Sequence, residues 1–247
     1  MYGMEARRSA LELVNQGHSL NSVSRRTGIS RAALRAWRVR VEPLPRMARE
    51  CPRKPTDRAN YAYLLGLYLG DGCISSHPHG GNYLRIACAD AWPGLIELCR
   101  AAVVAVRPGV SVCVVQKQGC VMVTSYDRHW PCLFPQHGPG REHERSIALV
   151  DWQQEIVEAH PWELIRGLVH SDGCRNMNWT TRTVGGVTKR YEYPRYFFTN
   201  KSADILRLFT DTLDTLGVAW RKANAQNISV ARKASVALMD AHVGPKY

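Results

Sequence analysis

The chain has 247 residues, of which 45% are hydrophobic and 22% are charged. This composition is typical of one or two globular domains and excludes collagen-like and largely disordered chains. No uncharged apolar run approaches the roughly 20 residues that span a bilayer, and the first residues carry no apolar signal-peptide core. We therefore expect a cytoplasmic protein with reduced cysteines and no membrane partner.

The charge balance is strongly basic. Thirty-three lysines and arginines against 21 acids leave a net charge of +12. Residues 1–60 contain 13 basic and five acidic residues, and nearly all of these basic residues are arginines. Arginine suits forked contacts with phosphates and guanine, so this segment is predicted to bind nucleic acid. The alternative is a solvated arginine-rich surface.

The first 41 residues read as three short helices. Apolar spacing predicts a helix over 4–16, and Ser19 or Asn21 can cap a second one. Gly28 provides a tight turn, and Ser30 can cap a third helix over 31–38. This arrangement resembles the helix-turn-helix of transposases and small bacterial regulators, although any three-helix cap would share it.

The resemblance implies that the third helix enters the major groove of double-stranded DNA. Three arginines spaced i, i+4 and i+7 share one face of this helix and are assigned to DNA binding: Arg31, Arg35 and Arg38. Residues 42–60 are rich in proline and arginine and are predicted to form a linker.

From residue 61 onwards, one order of elements occurs twice, over 61–140 and 141–247. In the first copy we predict helices over 61–70, 95–106 and 129–134, with strands over 73–76, 83–89, 110–116 and 121–126. In the second copy we predict helices over 161–171, 203–216 and 234–241, with strands over 175–183, 189–199, 218–223 and 228–231. The unit helix–hairpin–helix–hairpin–helix is therefore an internal repeat.

A short motif recurs at the same place in both copies. Residues 66–73 and 167–174 are identical at five of eight positions, and each stretch ends an apolar helix. Small residues four apart let two helices approach closely and define a predicted helix interface: Gly66, Gly70, Gly167 and Ser171. Such packing would bring together the two acids that end the helices, Asp71 and Asp172.

Two carboxylates at helix C-termini lie in a negative field and repel each other unless a divalent cation bridges them. The motif therefore predicts a Mg²⁺ or Mn²⁺ site at Asp71 and Asp172. Gly72 and Gly173 are expected to provide a left-handed exit from each helix. The alternative interpretation is a pair of solvated Asp-Gly turns.

Residues 64–72 and 165–173 resemble the two motifs of single-chain LAGLIDADG homing endonucleases. The resemblance covers residues 61–247 and implies an α+β fold. In that fold two αββαββα repeats form a pseudo-two-fold saddle on the DNA major groove, here preceded by the small all-α domain. It also implies a monomer whose metal site comprises Asp71, Asp172, Gly70 and Ser171. The sequence departs from the motif at its sixth position, where Leu69 and His170 replace an acid that does not bind metal.

Basic residues near the two acids assist catalysis in this family. Arg128 and Lys233 follow predicted strands and are assigned this catalytic role. Arg232, Lys117 and Lys222 remain alternatives.

Alternating polar residues mark the strand faces that would contact DNA. In the second repeat they are Asn176, Asn178, Thr180 and Arg182, and in the first repeat Tyr83 and Arg85. Amides, hydroxyls and arginines suit base edges and phosphates, although an ordinary solvent-facing strand shows the same alternation.

These features together predict a divalent-metal-dependent endonuclease that hydrolyses phosphodiester bonds in double-stranded DNA at a specific site. The protein would be associated with the nucleoid when bound. The alternative function is a non-cleaving transcription regulator built on the same fold. The two retained acids favour the nuclease, because regulators on this fold tend to lose them, and the helix-turn-helix favours the regulator.

Overall fold

The computed structural model describes residues 2–42, 54–78 and 80–247. The chain divides into two compact units, Met1–Glu50 and Cys51–Tyr247. Most of the predicted linker, residues 43–53, lies outside the described residues. In the part of the chain that is described, no helix combines the length and apolarity needed to cross a bilayer.

The first unit contains three helices: α1 (Met4–Asn15), α2 (Leu20–Thr27) and α3 (Arg31–Val39). The Ser19 and Ser30 side chains cap α2 and α3 by accepting hydrogen bonds of 3.2 Å from backbone amides three residues on. Gly28 ends α2 with a φ of 70°, as its predicted role in the turn requires. The helices enclose a small apolar core: Ala10, Val23, Ile29, Leu34 and Trp37.

The first repeat follows the predicted order of elements. Its helices are α4 (Arg58–Asp71), α5 (Pro93–Val106) and α6 (Trp130–Leu133). Its strands are β1 (Gly72–Ser76), β2 (Asn82–Ala89), β3 (Val112–Lys117) and β4 (Cys120–Asp127). The side chain of Asp57 caps α4 through the Asn60 amide at 2.9 Å.

The second repeat has the same order and one additional helix. Its helices are α7 (Asp151–Ala159), α8 (Pro161–Asp172), α9 (Ala203–Thr215) and α10 (Lys233–His242). Its strands are β5 (Gly173–Val184), β6 (Val187–Thr199), β7 (Arg221–Asn224) and β8 (Asn227–Val230). Helix α7 and a 3-10 turn at Glu142–Glu144 were not predicted. The strand predicted from residue 218 starts only at Arg221, because the Val218 and Ala219 amides donate to the Leu213 carbonyl and to Ser235 Oγ instead of to a neighbouring strand.

Within the described chain the strands form two four-stranded antiparallel sheets with the same order, β1-β2-β4-β3 and β5-β6-β8-β7. The helices pack against one face of each sheet, as the stacking of Phe198 on Phe209 at 4.2 Å shows for β6 and α9. This arrangement confirms the predicted fold of two αββαββα repeats.

The two hairpins that begin the repeats differ in length. Strands β1 and β2 have five and eight residues, whereas β5 and β6 have 12 and 13. The longer hairpin turns at Gly185 and Gly186, which both have positive φ. Repeat 2 therefore has an arm that extends well beyond its sheet.

A buried polar cluster fixes the connection between the repeats. The Gln136 amide donates to Gln153 Oε1 at 2.6 Å and to the Ala148 carbonyl at 2.7 Å. The Gln153 amide in turn donates to the Tyr61 hydroxyl at 2.6 Å. Because unpaired amides are costly in an apolar interior, these bonds favour a single path for the chain from α6 to α7.

The cysteines are mostly free, as predicted. Cys88 and Cys99 are free and buried, and Cys73, Cys113, Cys120 and Cys174 are free nearer the surface. The expectation is wrong for Cys132, which forms a disulfide bond. Isolated cysteines with no characteristic spacing do not indicate which of them approach one another in the folded chain.

Candidate functional site

Helices α4 and α8 pack against each other through glycines. A Cβ atom added to Gly66 would lie 2.6 Å from the Leu164 carbonyl oxygen, and one added to Gly167 would lie 2.9 Å from Gly66 Cα. One turn further on, a Cβ on Gly70 would lie 2.5 Å from Ser171 Cβ. The four small residues of the motif thus lie where the two helix backbones come closest.

The glycines after the two acids have a different role from the one expected. Gly72 and Gly173 are extended, with φ of −97° and −104°, so the predicted left-handed exit is wrong. An added Cβ would lie 2.5 Å from Tyr68 Cα at Gly72 and 2.7 Å from Val169 Cα at Gly173. Glycine is needed at both positions because the backbone passes directly from the helix into the strand and lies against the last turn of that helix.

The close helix contact brings the two motif acids into each other's electrostatic field. Asp71 and Asp172 are the last residues of α4 and α8, and each immediately precedes the first strand of its sheet. Asp71 is exposed to solvent, yet protein atoms crowd the surroundings of its carboxylate. This partial burial, followed by repulsion from Asp172, raises its pKa to about 6.

Asp172 has a defined set of neighbours. Burial raises its pKa, while a hydrogen bond from the Asn200 amide at 2.7 Å and the charge of Lys246 partly oppose that rise. An open cleft of about 320 Å³ lies beside this acid, and its walls include Gly70, Asn200 and Lys201. Asn200 follows β6 and is separated from Asp172 by 28 positions along the chain. No local sequence pattern therefore indicated their contact.

The donor set at this site fits a hard divalent cation. Within the described residues no group of three or more His, Cys, Asp or Glu side chains could enclose a metal. The site offers instead two carboxylates that repel each other and the carbonyls of the residues before them. Mg²⁺ is usually held by one or two carboxylates together with substrate phosphates, so this sparse set suits Mg²⁺ bound with a nucleic acid.

The outward faces of the two sheets contain basic residues and no acidic ones. In repeat 1, strand pairing places Tyr83 and Arg85 on the face opposite the buried Leu84 and Ile86. In repeat 2, the outward face contains Asn176, Asn178, Thr180 and Arg182. All strand residues are described, and none at an outward position is Asp or Glu. The basic members are Arg85, Lys117, Arg182, Lys189, Arg195 and Arg221.

Strand register adds residues that the sequence analysis missed. Directly across from Asn176, Asn178, Thr180 and Arg182 lie Arg195, Tyr193, Tyr191 and Lys189. Counting alternate residues back from the Gly185-Gly186 turn would have identified them. Arg195 is held in place because its guanidinium donates to Ser229 Oγ and lies 4.8 Å from the centre of the Phe197 ring.

The other site assignments lie in different surroundings. Arg128 and Lys233 are both exposed, Arg128 just after β4 and Lys233 at the start of α10.

Lys246, which was not predicted, is the cation whose charge lowers the pKa of both acids. In the first unit, Arg31, Arg35 and Arg38 are exposed on α3, whereas Leu34 and Trp37 of the same helix are buried.

Comparison with known proteins finds similarity only among solved structures. No protein-family model and no curated protein sequence matches the chain. The chain resembles the homing endonuclease I-DmoI in complex with DNA and Mn, with 14% identity and a TM-score of 0.49 over 77% of this chain and 98% of that one. It also resembles the LAGLIDADG meganuclease I-AabMI bound to uncleaved DNA, with 11% identity and a TM-score of 0.46. That match covers 74% of this chain and 83% of the meganuclease. The likeness concerns the fold alone.

Proposed function

We propose that the protein is a divalent-metal-dependent endonuclease that cleaves double-stranded DNA at one specific site. The main support is that each repeat contributes one acid, Asp71 or Asp172, and that the two acids lie together where the two sheets begin. On the outward faces of both sheets, every charged residue is basic. A negative phosphodiester would bind such faces, and the two acids would then be the negative groups nearest to its reacting atoms.

The residues of the site have distinct roles in this proposal. Asp71, Asp172 and the carbonyls of Gly70 and Ser171 would hold the metal, which would activate water and stabilise the leaving oxygen. The Asn200 amide orients the Asp172 carboxylate through its 2.7 Å hydrogen bond. The glycines at the α4–α8 contact keep the two carboxylates close, although their charges repel. Arg128 and Lys233 remain candidates for assisting the reaction.

The outward faces would position the DNA. Arg85, Arg182 and Lys189 can neutralise phosphates, while the amides and hydroxyls between them can contact base edges. Both halves of this interface come from one chain, so we propose that the protein acts as a monomer. The arginine face of α3 would contact further DNA as a helix-turn-helix.

A non-cleaving regulator is the second candidate. The observation that favours it is the placement of the Lys246 charge at the acid pair, because a protein cation can compensate the two carboxylates without a metal. The arginine face of α3 is compatible with either function.

Cleavage of a randomised duplex library separates these two functions. The parent chain is incubated with Mg²⁺ or Mn²⁺, bound duplexes are selected, and cut ends are sequenced. We expect cut ends at one sequence for the parent and for the control Asp211→Asn, which changes an exposed acid on α9. Asp71→Asn and Asp172→Asn should abolish cleavage and retain binding. Selection of one site without cut ends by the parent would contradict the nuclease and support the regulator.

A further inference from the structure

The segment that follows α10 crosses from repeat 2 to repeat 1 beside the acid pair. Gly244, with a φ of 72°, turns the chain after the buried Val243. Lys246 Nζ then donates to the Ser171 carbonyl at 3.2 Å. The next residue reaches α5, where the Tyr247 carbonyl accepts from the Leu95 amide at 3.1 Å and the Tyr247 ring packs on Gly94. We refer to residues 244–247 as the strap.

The position of Lys246 sets it apart from a surface lysine. Its side chain is partly buried, and this burial lowers its pKa, while the charges of Asp71, Cys174 and Asp172 act in the opposite direction. Its hydrogen-bond acceptor belongs to the last turn of α8, where the helix dipole also favours a cation. The ammonium therefore lies in the field of both carboxylates and next to a carbonyl assigned to the metal.

We infer that Lys246 is a positioning residue that occupies the cation position of the acid pair, and that a divalent cation must displace its ammonium to bind. This inference rests on the proposed metal site at Asp71 and Asp172. Without metal, the ammonium would compensate the two carboxylates and hold α8 to the strap. With metal bound, the Ser171 carbonyl would contact the divalent cation in place of the Lys246 ammonium.

Two measurements that do not depend on cleavage test the inference. The first is the affinity for Mn²⁺, measured by electron paramagnetic resonance in the absence of DNA. Lys246→Met should bind Mn²⁺ more tightly by on the order of tenfold, because one competing charge has been removed. Lys246→Arg, which keeps the charge, should stay close to the parent. Lys54→Met, which removes an exposed lysine outside the site, should also leave the affinity unchanged.

The second measurement is the rate at which an amine-acylating reagent modifies Lys246, read by peptide mass spectrometry. Saturating Mn²⁺ should accelerate modification of Lys246 several-fold and leave Lys54 unaffected, because displacement exposes the ammonium.

The two measurements also show which proposal has failed. If Asp71→Asn abolishes Mn²⁺ binding, but Lys246→Met binds Mn²⁺ like the parent and Mn²⁺ does not change the acylation rate of Lys246, the metal site stands and the inference about Lys246 is overturned. If the parent does not bind Mn²⁺, or if Asp71→Asn binds Mn²⁺ as tightly as the parent does, the proposed metal site is overturned. The inference about Lys246 then fails with it.

Discussion

The Tyr63 hydroxyl and His170 Nδ1 lie 3.0 Å apart across the contact between α4 and α8, so each motif helix contributes one partner to a buried hydrogen bond. His170 stands at the sixth motif position, and only 3% of its surface is exposed. Burial, followed by the charges of Arg166 and Lys246, lowers its pKa to about 4. The imidazole is therefore neutral at pH 7 and forms part of the helix interface.

We expect His170 to make the fold sensitive to acid. The unfolded chain protonates this histidine near pH 6.5, whereas the folded chain does so only near pH 4. The unfolded state therefore binds more protons between these values, and the free energy of unfolding falls as the pH falls from 6.5 to 4. The fall in the free energy of unfolding that is due to His170 should reach about 3 kcal/mol. Urea unfolding of the parent and of His170→Gln at pH 7, 5.5 and 4.5 measures it, and parallel pH profiles would contradict the assignment.

Asp71 should have the opposite effect on stability. Its folded pKa of about 6 exceeds the ordinary value of 3.8, so the folded state binds the proton more tightly and loses stability as the pH rises from 4 to 6. Asp71→Asn should therefore stabilise the metal-free protein at pH 7 and give no such advantage below pH 4. Because Asp71 contacts solvent, we expect a gain of about 1 kcal/mol rather than the full value of the shift. Thermal unfolding in a chelator provides the measurement, with Asp211→Asn as the matched control without a gain.

The glycine contact between α4 and α8 predicts a strong steric effect. Gly66→Ala would place a methyl group 2.6 Å from backbone atoms of α8. Overpacking of this kind costs about 1–3 kcal/mol, and here rigid backbone leaves little room for relief. Denaturant midpoints should show this loss for Gly66→Ala. Gly138→Ala, where the added atom would lie 3.5 Å from the Arg145 side chain, should stay within about 0.5 kcal/mol of the parent. Equal midpoints for the two variants would refute the close packing.

The basic arm of repeat 2 predicts a change in the salt dependence of DNA binding. Arg182 and Lys189 lie directly opposite each other on the outward face of the β5–β6 hairpin. If each neutralises one phosphate, Arg182→Gln combined with Lys189→Gln should reduce the slope of log affinity against log salt by about 1.8. Binding isotherms at several salt concentrations provide the test. Arg207→Gln, on α9 and paired with Asp204, should keep the parental slope.

Local patterns predicted much of this fold because they depend on nearby residues. The serine caps at Ser19 and Ser30 and the repeated motif were all readable within a few positions of the chain. Glycine was harder to interpret, since Gly72 could serve either a left-handed turn or a close approach, and only the second is present. Helix α7 was not predicted although Trp152, Ile156 and Val157 have helical spacing, because it has no counterpart in the first repeat.

The parts of the site that could not be predicted depend on long-range packing. Asn200 reaches Asp172 over 28 residues and Lys246 reaches Ser171 over 75. Nothing in the local sequence of a strand end or of the residues after α10 indicates such a contact. The sequence therefore identified the two acids, and the folded chain was needed to identify the groups that hold and compensate them.

The first hairpins of the two repeats differ in length, and this difference makes the two halves of the molecule unequal. If the outward faces bind DNA, the arm formed by β5 and β6 contacts more base pairs than the short hairpin of β1 and β2. Sequence information in a target would then be concentrated in the half beneath repeat 2, and substitutions there would be tolerated least. A perfectly palindromic duplex would be bound in either orientation, yet in each orientation only one of its halves would be read in full.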